Sequence, residues 1–339
     1  MTPPPTNVRM PDSAMAESQA PLVSIGLPVF NGESYLEAAI AAIAAQSITD
    51  WELILADNAS TDGTREICAA WAERDPRIRW VRTEAHTGAA RNFNRAFAQA
   101  RGIYFKWASH DDLHEPTYLE RCLDVLQNDR GVVLAHSEMV EINEQGNVIR
   151  ELTSRIQDMD HGSPSKRFQG AIALDHGCFD VFGLIRTAAL AKTKLIAPYL
   201  GSDRVLLAEL ALQGRLVRVD EKLFLSREHP QRSIRMRSDR EREQWFGAGK
   251  PPEKMRPNWK RLGAVRDALK RADVPFTVRM QCRAAIARWT MQQRGSLYRE
   301  LVGKARPGDI REKEPPPPQL LGGSPAIPGA AGESTPPIG

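Results

Sequence analysis

The sequence predicts an α/β protein whose central sheet is mainly parallel and is flanked by helices. Between Leu22 and Ser137, short apolar runs typical of buried strands alternate with longer segments of helical periodicity. Strands that alternate with helices of this length are typical of a parallel sheet with right-handed crossovers. After Ser137 the alternation stops, and hairpin-like and then helical patterns follow. We therefore expect a helical extension at the C-terminal side.

The first part of the predicted fold contains five strands and four helices. Each strand is a short, mostly apolar run, and the helices begin close to capping residues such as Ser34 and Ser60 or Thr61. Gly102 closes the third helix. The predicted strands are 22–29, 51–56, 78–81, 103–108 and 132–136, and the predicted helices are 35–46, 61–74, 89–100 and 116–127.

The second part of the predicted fold is less regular. Residues 144–147, Glu-Gln-Gly-Asn, separate two short apolar runs and predict the turn of a β-hairpin. Gly214 ends a helix predicted over 203–213. The remaining predictions are a short helix near 164–174, a strand at 180–185, a helix at 187–193, extended segments at 216–219 and 222–225, and helices near 256–272 and 276–302.

Both ends of the 339-residue chain are rich in Pro, Gly and Ala. Such segments bury too little apolar surface to offset the entropy of ordering, so residues 1–20 and 306–339 are predicted to be disordered tails. No run of eighteen apolar residues and no basic-then-apolar leader occurs, which argues against a membrane span and a signal peptide. The four cysteines form no CxxC pair. These observations predict a cytoplasmic protein with reduced thiols.

The net charge of +4 is unevenly distributed along the chain. Between Arg227 and Arg306 there are 21 Lys and Arg residues against 8 Asp and Glu residues, which leaves the remainder acidic. A basic segment of this kind can meet phosphates, anionic lipid or nucleic acid, and it can also be the solvated face of ordinary helices.

The helix predicted near 276–302 is amphipathic. Arg279 and Arg283 lie four residues apart on one face, while Cys282, Ile286 and Trp289 form an apolar stripe on another. We expect the stripe to pack on the rest of the protein, and contact of the helix with anionic lipid is the alternative.

Two adjacent carboxylates, Asp111 and Asp112, follow closely on the strand at 103–108. In an open α/β sheet, ligands bind just beyond the carboxyl ends of the strands. Two unpaired carboxylates there would repel each other unless a cation or a proton lies between them. A divalent metal such as Mg²⁺, shared with substrate phosphates, is the simplest such cation. The alternative is a solvated loop that caps the following helix.

Three further motifs lie at the same predicted edge of the sheet. The first strand ends in P-x-F-N-G-E over 28–33, the second ends in D-N-x-S-T-D-G-T over 57–64, and the third helix opens with G-x-x-R-N over 88–92. No glycine fingerprint for a dinucleotide or a P-loop follows any strand. In this order, and together with the Asp111-Asp112 pair, the motifs resemble glycosyltransferase family 2, the inverting nucleotide-sugar transferases of the GT-A fold.

The resemblance implies a GT-A (Rossmann-like) domain over 21–232, with a nucleotide-binding half at 21–137 and an acceptor half at 138–232. A basic helical extension would follow at 233–305. The implied activity is transfer of a sugar from a UDP- or dTDP-sugar to a hydroxyl of a glycan or lipid-linked acceptor, in cell-envelope polysaccharide biosynthesis. Because such acceptors are often lipid-linked, peripheral contact with the inner face of the cell membrane is part of this expectation.

The resemblance also implies a donor site at the ends of the first two strands. Pro28, Phe30 and Glu33 would line the pocket for the base and ribose. Asp57 would accept a hydrogen bond from the ring N–H of uracil or thymine. Arg91 would approach the nucleotide or its phosphates, because a guanidinium matches phosphate geometry.

The metal site implied by the resemblance departs from the usual family motif. That motif is D-x-D, and here Ser109 stands at its first position, so only the later pair is present. Asp111 is assigned to the nucleotide-sugar, and Asp112 is favoured as the direct ligand of Mg²⁺ or Mn²⁺. His229, which follows the last extended segment, is a further candidate ligand.

Family members carry an acidic base at the start of a later helix, and Asp203 stands at that location. It would take the proton from an acceptor hydroxyl while that oxygen attacks the anomeric carbon. A single displacement inverts the anomeric centre, so one base suffices. The alternative for Asp203 is a helix cap, a role that is compatible with being a base.

Three other functions compete with glycosyl transfer. A glycoside hydrolase would place two carboxyls on opposite sides of a bond, which suits the neighbouring Asp111 and Asp112 poorly. A nucleotide-sugar-binding protein without turnover is supported by Ser109 and opposed by Asp203. Nucleic-acid binding through the basic segment lacks any recognised module or interleaved aromatic residues.

Overall fold

The computed structural model describes residues 20–152, 159–173, 178–232, 235–236, 239–247 and 256–303. The predicted tail at 306–339 lies outside these residues, and so does the predicted tail at 1–20 except for Ala20. Within the described ranges, no helix combines the length and the apolar character needed to cross a membrane.

Four parallel strands form one half of the central sheet: β1 (Val23–Val29), β2 (Trp51–Asp57), β3 (Ile78–Arg82) and β4 (Tyr104–Trp107). Their order across the sheet is β3-β2-β1-β4. Every residue of β1 and β2 is buried, as in parallel sheets covered by helices on both faces. The prediction of a parallel sheet is confirmed for this half. The carboxyl ends of its strands meet at one edge, which we call the carboxyl edge.

The other half of the sheet is mixed. Its strands are β5 (Leu113–His114), β6 (Val132–Ile142), β7 (Val148–Leu152), β8 (Leu184–Arg186) and β9 (Arg215–Arg227). From β4 the order continues β8-β6-β9-β5, and β7 pairs with β6. β8 is antiparallel to both β4 and β6, whereas β6 and β9 are parallel to each other. Since two antiparallel pairings restore the direction, β6 and β9 also end at the carboxyl edge.

Helices cover both faces of the sheet. In chain order they are α1 (Leu36–Ala44), α2 (Thr64–Arg74), α3 (Ala89–Ala98), α4 (Tyr118–Asn128), α5 (Pro164–Ala173), α6 (Thr187–Leu190), α7 (Ser202–Gln213), α8 (Asp239–Gly247), α9 (Pro257–Arg271), α10 (Phe276–Gln292) and α11 (Arg294–Leu301). Helices α1, α2 and α4 share one core with the sheet, and α3, α5, α7, α9 and α10 share another. The predicted stripe of Cys282, Ile286 and Trp289 is buried in the second core, so the expected packing of this helix is confirmed.

Several predicted elements differ from the structure. Residues 180–185 were expected to form a strand, but Phe179–Phe182 is a 3₁₀ helix and β8 begins only at Leu184. Gly183 separates the two elements, and a Cβ there would lie 2.7 Å from the carbonyl oxygen of Ala135. The two extended segments predicted near 216–225 are one strand, β9, and the last predicted helix is divided into α10 and α11 at Gln293. The short elements β5 and α8 were not predicted.

Candidate active site

The loops that follow β1 and β2 hold each other in place. The Asn31 amide donates to Ser60 Oγ at 2.9 Å, and the Thr61 amide donates back to Asn31 Oδ1 at 2.9 Å. The Gly32 amide donates to Thr64 Oγ1 at 2.9 Å. Ser60 and Thr61 were expected to cap α2, but the helix begins at Thr64 and their side chains contact Asn31 instead. The two sequence motifs therefore form one loop lattice at the carboxyl edge.

Glu33 belongs to the same lattice. Its Oε2 accepts a hydrogen bond from the Gly63 amide at 2.6 Å, and its own amide donates to Asp62 Oδ2 at 3.1 Å. Glu33 is exposed, whereas Pro28 is buried inside β1. Of these two predicted pocket residues, only Glu33 presents its side chain at the surface of the carboxyl edge.

The carboxylate of Asp57 is fully buried and engaged on both oxygens. Oδ1 accepts from the Ser60 amide at 2.9 Å, and Oδ2 is bound by the guanidinium of Arg82. Arg82 is the residue directly opposite Asp57 in the β2–β3 register. Each carboxylate oxygen has a second lone pair, but the side chain has no solvent-accessible surface, so a ligand reaches Asp57 only if the covering residues move. Sequence reasoning missed Arg82, and its place at the carboxyl end of the third strand was the signal that could have found it.

An aromatic pair lies beside this carboxylate-containing lattice. The ring centroids of Phe30 and His86 are 4.3 Å apart, and Phe30 is 37% exposed. Burial lowers the pKa of His86 below its ordinary value, which favours the neutral imidazole at physiological pH. The pair therefore presents an uncharged aromatic surface suited to stacking against a base. His86 was also missed by the sequence reasoning.

The first turn of α3 is held against the same edge. Gly88 precedes the helix with a φ of +84°, a conformation that favours glycine. Asn58 Nδ2 donates to the Gly88 carbonyl at 3.3 Å, and Asn92 Nδ2 donates to the Ala56 carbonyl at 2.7 Å. These bonds leave Arg91 exposed in the first turn, where its guanidinium is accessible to a ligand at the carboxyl edge.

The loop after β4 brings one of the two adjacent carboxylates against a histidine from the far end of the chain. His229 Nε2 lies 2.9 Å from Asp111 Oδ2, and the imidazole side chain is only 3% exposed. Ser109 donates its hydroxyl to the other oxygen of Asp111. The ring of Tyr35 lies 4.8 Å from the imidazole. The serine that replaces the first motif carboxylate thus has a defined partner.

The neighbouring Asp112 faces in a different direction. Its Oδ1 accepts from the Arg227 amide at 2.9 Å, and its carboxylate also accepts from the Ser226 hydroxyl. Burial, followed by the charge of Asp111, raises the pKa of Asp112 to about 7. Burial also acts to raise the pKa of Asp111, but His110, His229 and Ser109 outweigh it and hold that pKa below its ordinary value. Asp111 is therefore the carboxylate of the pair that stays ionised.

The Asp111–His229 pair offers a carboxylate oxygen and an imidazole nitrogen to a divalent cation. Within the described residues, no group of three or more His, Cys, Asp and Glu side chains is arranged to hold a metal. Asp111 Oδ2 and His229 Nε2 are nevertheless spaced as adjacent ligands of a six-coordinate ion, which lie about 3 Å apart at Mg²⁺-like bond lengths. His229 Nδ1 is buried without a hydrogen-bond partner in the described structure. A carboxylate and an imidazole fit a hard or borderline cation whose other ligands come from phosphate and water.

Asp203 lies in the first turn of α7, and Gly201 precedes the helix with a φ of +81°. Only one residue separates the end of α7 from the start of β9, so the helix returns across the sheet and its first turn lies at the carboxyl edge. Asp203 Oδ1 accepts from the Arg204 amide at 2.8 Å. Burial raises the pKa of the neighbouring Tyr199 to about 12, with Glu209 and Asp203 adding to the effect. Asp203 thus lies at the same edge of the sheet as the loop lattice and the Asp111–His229 pair.

Known proteins resemble this chain in both sequence and fold. Chondroitin synthase from Escherichia coli is 31% identical to this chain over 131 residues, which cover 39% of this chain and 19% of that protein. An uncharacterized glycosyltransferase from Methanocaldococcus jannaschii is 31% identical over 139 residues, covering 40% of this chain and 48% of that protein. The aligned segments thus span less than half the length of either relative.

The fold is similar to that of a solved structure, S. aureus TarS. Residues 1–349 of S. aureus TarS in complex with UDP superpose with a TM-score of 0.57 and 15% identity, covering 79% of this chain and 72% of that solved 1–349 chain. Residues 24–192 match the family model described as glycosyl transferase family 2. This match contains the loop lattice and Asp111, while Asp203 and His229 lie beyond it. The predicted GT-A fold is confirmed, and this chain contains a glycosyl transferase family 2 domain over residues 24–192.

Proposed function

We propose that this chain transfers a sugar, with inversion, from a UDP- or dTDP-sugar to a hydroxyl of a glycan or lipid-linked acceptor. The observation that carries the proposal is the Asp111–His229 contact of 2.9 Å at the same sheet edge as the loop lattice. The UDP in the TarS structure and the glycan product in the name of chondroitin synthase are in keeping with this donor and acceptor class.

The donor base is proposed to bind at the ends of β1, β2 and β3. The Phe30–His86 pair offers a stacking surface, and the buried Asp57 would accept a hydrogen bond from the ring N–H of uracil or thymine once donor binding uncovers it. Arg82 fixes the orientation of the Asp57 carboxylate. Arg91 supplies a cation for the phosphates from the first turn of α3.

The diphosphate is proposed to sit beside Asp111 and His229 together with Mg²⁺ or Mn²⁺. When bound, the cation would neutralise the negative charge that develops on the departing diphosphate. The geometry favours Asp111 over Asp112 as the direct ligand, because Asp112 accepts from the backbone of Arg227 and has a raised pKa. We propose that Asp112 supports the β9 end of the site instead, and that His229 remains a ligand as predicted.

Asp203 is proposed as the general base. It would accept the proton of the acceptor hydroxyl as the acceptor oxygen forms a bond to the anomeric carbon and the bond from that carbon to the diphosphate breaks. The position of Asp203 at the start of α7, at the carboxyl edge, supports this role. The products are the glycoside, the nucleoside diphosphate and a protonated Asp203.

A panel of nucleotide-sugars incubated with the full chain and candidate glycan acceptors tests the proposal. We expect release of UDP or dTDP that requires both an acceptor and Mg²⁺ or Mn²⁺, with inverted configuration in the product by NMR. Release of free sugar from a glycoside without nucleotide, or turnover that is unaffected by chelator, would contradict the proposal.

A further inference from the structure

Helices α9 and α10 enclose a cavity of about 320 Å³ that the proposed transfer reaction does not use. This volume is in the range of small-molecule binding sites. Its floor is apolar and includes Leu269 and Ile286. Among the described residues that line it, four are basic and none is acidic: Arg266, Lys270, Arg279 and Arg283.

The positive charge of this cavity is only partly compensated. Lys270 pairs with Asp267 at 3.3 Å, and both side chains are exposed. Arg279 donates to carbonyl oxygens at the C-terminal end of α9, which satisfies the helix end but leaves the guanidinium charge without a carboxylate. In the part of the chain that the structure describes, Arg266 and Arg283 have no carboxylate partner. A phosphate group entering the cavity would therefore meet at least three cations without an ion pair.

Next to the lining residue Arg283, helix α10 carries large apolar side chains that are exposed in the described structure. Phe276 is 74% exposed and Met280 is 44% exposed. With Arg283 they occupy positions four and then three residues apart, so all three share one face of α10. Basic side chains beside exposed large apolar side chains are typical of helices that lie in the interface of a membrane.

We propose that the cavity between α9 and α10 binds the phosphate headgroup of an anionic membrane lipid, while Phe276 and Met280 insert among the acyl chains. This cavity would be the site at which the protein contacts the membrane. An anionic glycan could also pair with the four cations, but it would leave Phe276 exposed to water. These exposed apolar side chains therefore favour the lipid.

Vesicle sedimentation with the full chain tests this proposal. The parent is compared with the double variant Arg266→Gln/Arg283→Gln on phosphatidylcholine vesicles with and without phosphatidylglycerol, at low and high salt. The matched control is Arg65→Gln/Arg130→Gln, which removes the same charge from exposed positions elsewhere. The double variant leaves Arg279, which caps the end of α9, in place. Circular dichroism and UDP binding verify that each variant is folded.

We expect the pocket variant to bind anionic vesicles about 25-fold more weakly than the parent, since each basic residue near an anionic surface contributes about a fivefold factor. The control should bind nearly as well as the parent, and high salt should weaken binding of both. Phe276→Ser should weaken vesicle binding while keeping the folded state, because the ring is exposed.

Three outcomes would overturn the proposal. One is equal vesicle binding by the pocket variant and its control. The second is absence of parent binding to anionic vesicles at low salt. The third is retention of the parent on an anionic polysaccharide, or stabilisation by glycerol phosphate alone, that depends on Arg266 and Arg283 but not on Phe276. Loss of sugar transfer in any variant does not bear on these outcomes, because sedimentation requires no turnover.

Discussion

His229 Nε2 and Asp111 Oδ2 lie 2.9 Å apart although the two residues are separated by 118 positions in the chain. The contact joins the loop after β4 to the segment after β9. The loop leads into β5, and β5 pairs with β9 in the mixed half of the sheet, so the two residues meet at the carboxyl edge. The contact is the meeting point of the donor half and the acceptor half of the proposed site.

Asp111→Asn should weaken metal-dependent nucleotide binding by at least tenfold. The amide keeps the shape but loses the charge, and even changes behind the ligands of a metal typically cost about 10–100-fold in affinity. Calorimetry with UDP, with and without Mn²⁺, measures the effect. Asp124→Asn, at a side chain that is 58% exposed on α4, is the matched control. Unchanged binding in the Asp111 variant would exclude its role at the cation.

Asp203→Asn should preserve UDP-sugar binding and lower the transfer rate by about 10²–10⁴, the usual effect of losing a general base. The rate of nucleoside diphosphate release under saturating donor measures the change. Asp220→Asn, at a residue that is exposed in β9, serves as the control. Transfer at the parent rate would place the base at another residue.

His136 should make stability depend on pH. Burial lowers the pKa of His136 to about 3, so the folded state binds fewer protons than the unfolded state between pH 3 and 6.5. Its contribution to stability is present above pH 6.5 and is lost as the pH falls, by about 2 kcal/mol between pH 8 and pH 5. Urea denaturation of the parent and of His136→Gln at both pH values measures the difference.

The parent should therefore lose more stability than His136→Gln on going from pH 8 to pH 5. His161→Gln, at an exposed residue, should behave as the parent does. Equal losses in the parent and in His136→Gln would show that the imidazole is protonated in the folded protein.

Gly102→Ala and Gly263→Ala should change stability in opposite directions. A Cβ at Gly102 would lie 2.6 Å from the backbone nitrogen of Ser24, and such overpacking typically costs about 1–3 kcal/mol. A Cβ at Gly263 would meet nothing within 4 Å in the exposed face of α9, where alanine is favoured by up to about 1 kcal/mol. Thermal denaturation of the two variants compares them, and a stable Gly102→Ala would refute the close approach of β1.

The sequence was sufficient to predict the parallel half of the sheet and the edge at which its motifs meet. Parallel strands impose that meeting, so Phe30, Asp57 and Asp111 could be grouped without any tertiary information. The register between β2 and β3 is a tertiary property, and it places Arg82 opposite Asp57. The local pattern places Arg82 at the carboxyl end of the third strand, but it does not identify Asp57 as its partner.

The sequence also could not predict which partner each of the two adjacent carboxylates faces. Asp111 and Asp112 are neighbours, yet one faces His229 and the other faces the backbone of Arg227. The choice depends on where β9 passes the loop, which is decided by its pairing with β5 and β6. The same pairing explains why the two-residue strand β5 left no signal in the local sequence.

Strand β9 also connects two parts of the proposed site, the start of α7 and the segment that carries His229. Helix α7, which carries Asp203, passes into β9 through Gly214 alone, and β9 ends two residues before His229. This connection is tightly packed, since a Cβ at Gly214 would lie 2.4 Å from Val133 Cγ1. The helix that holds the proposed base is therefore connected to His229 by one continuous strand. A substitution that shifts the register of β9 would therefore displace His229 and Asp203 together.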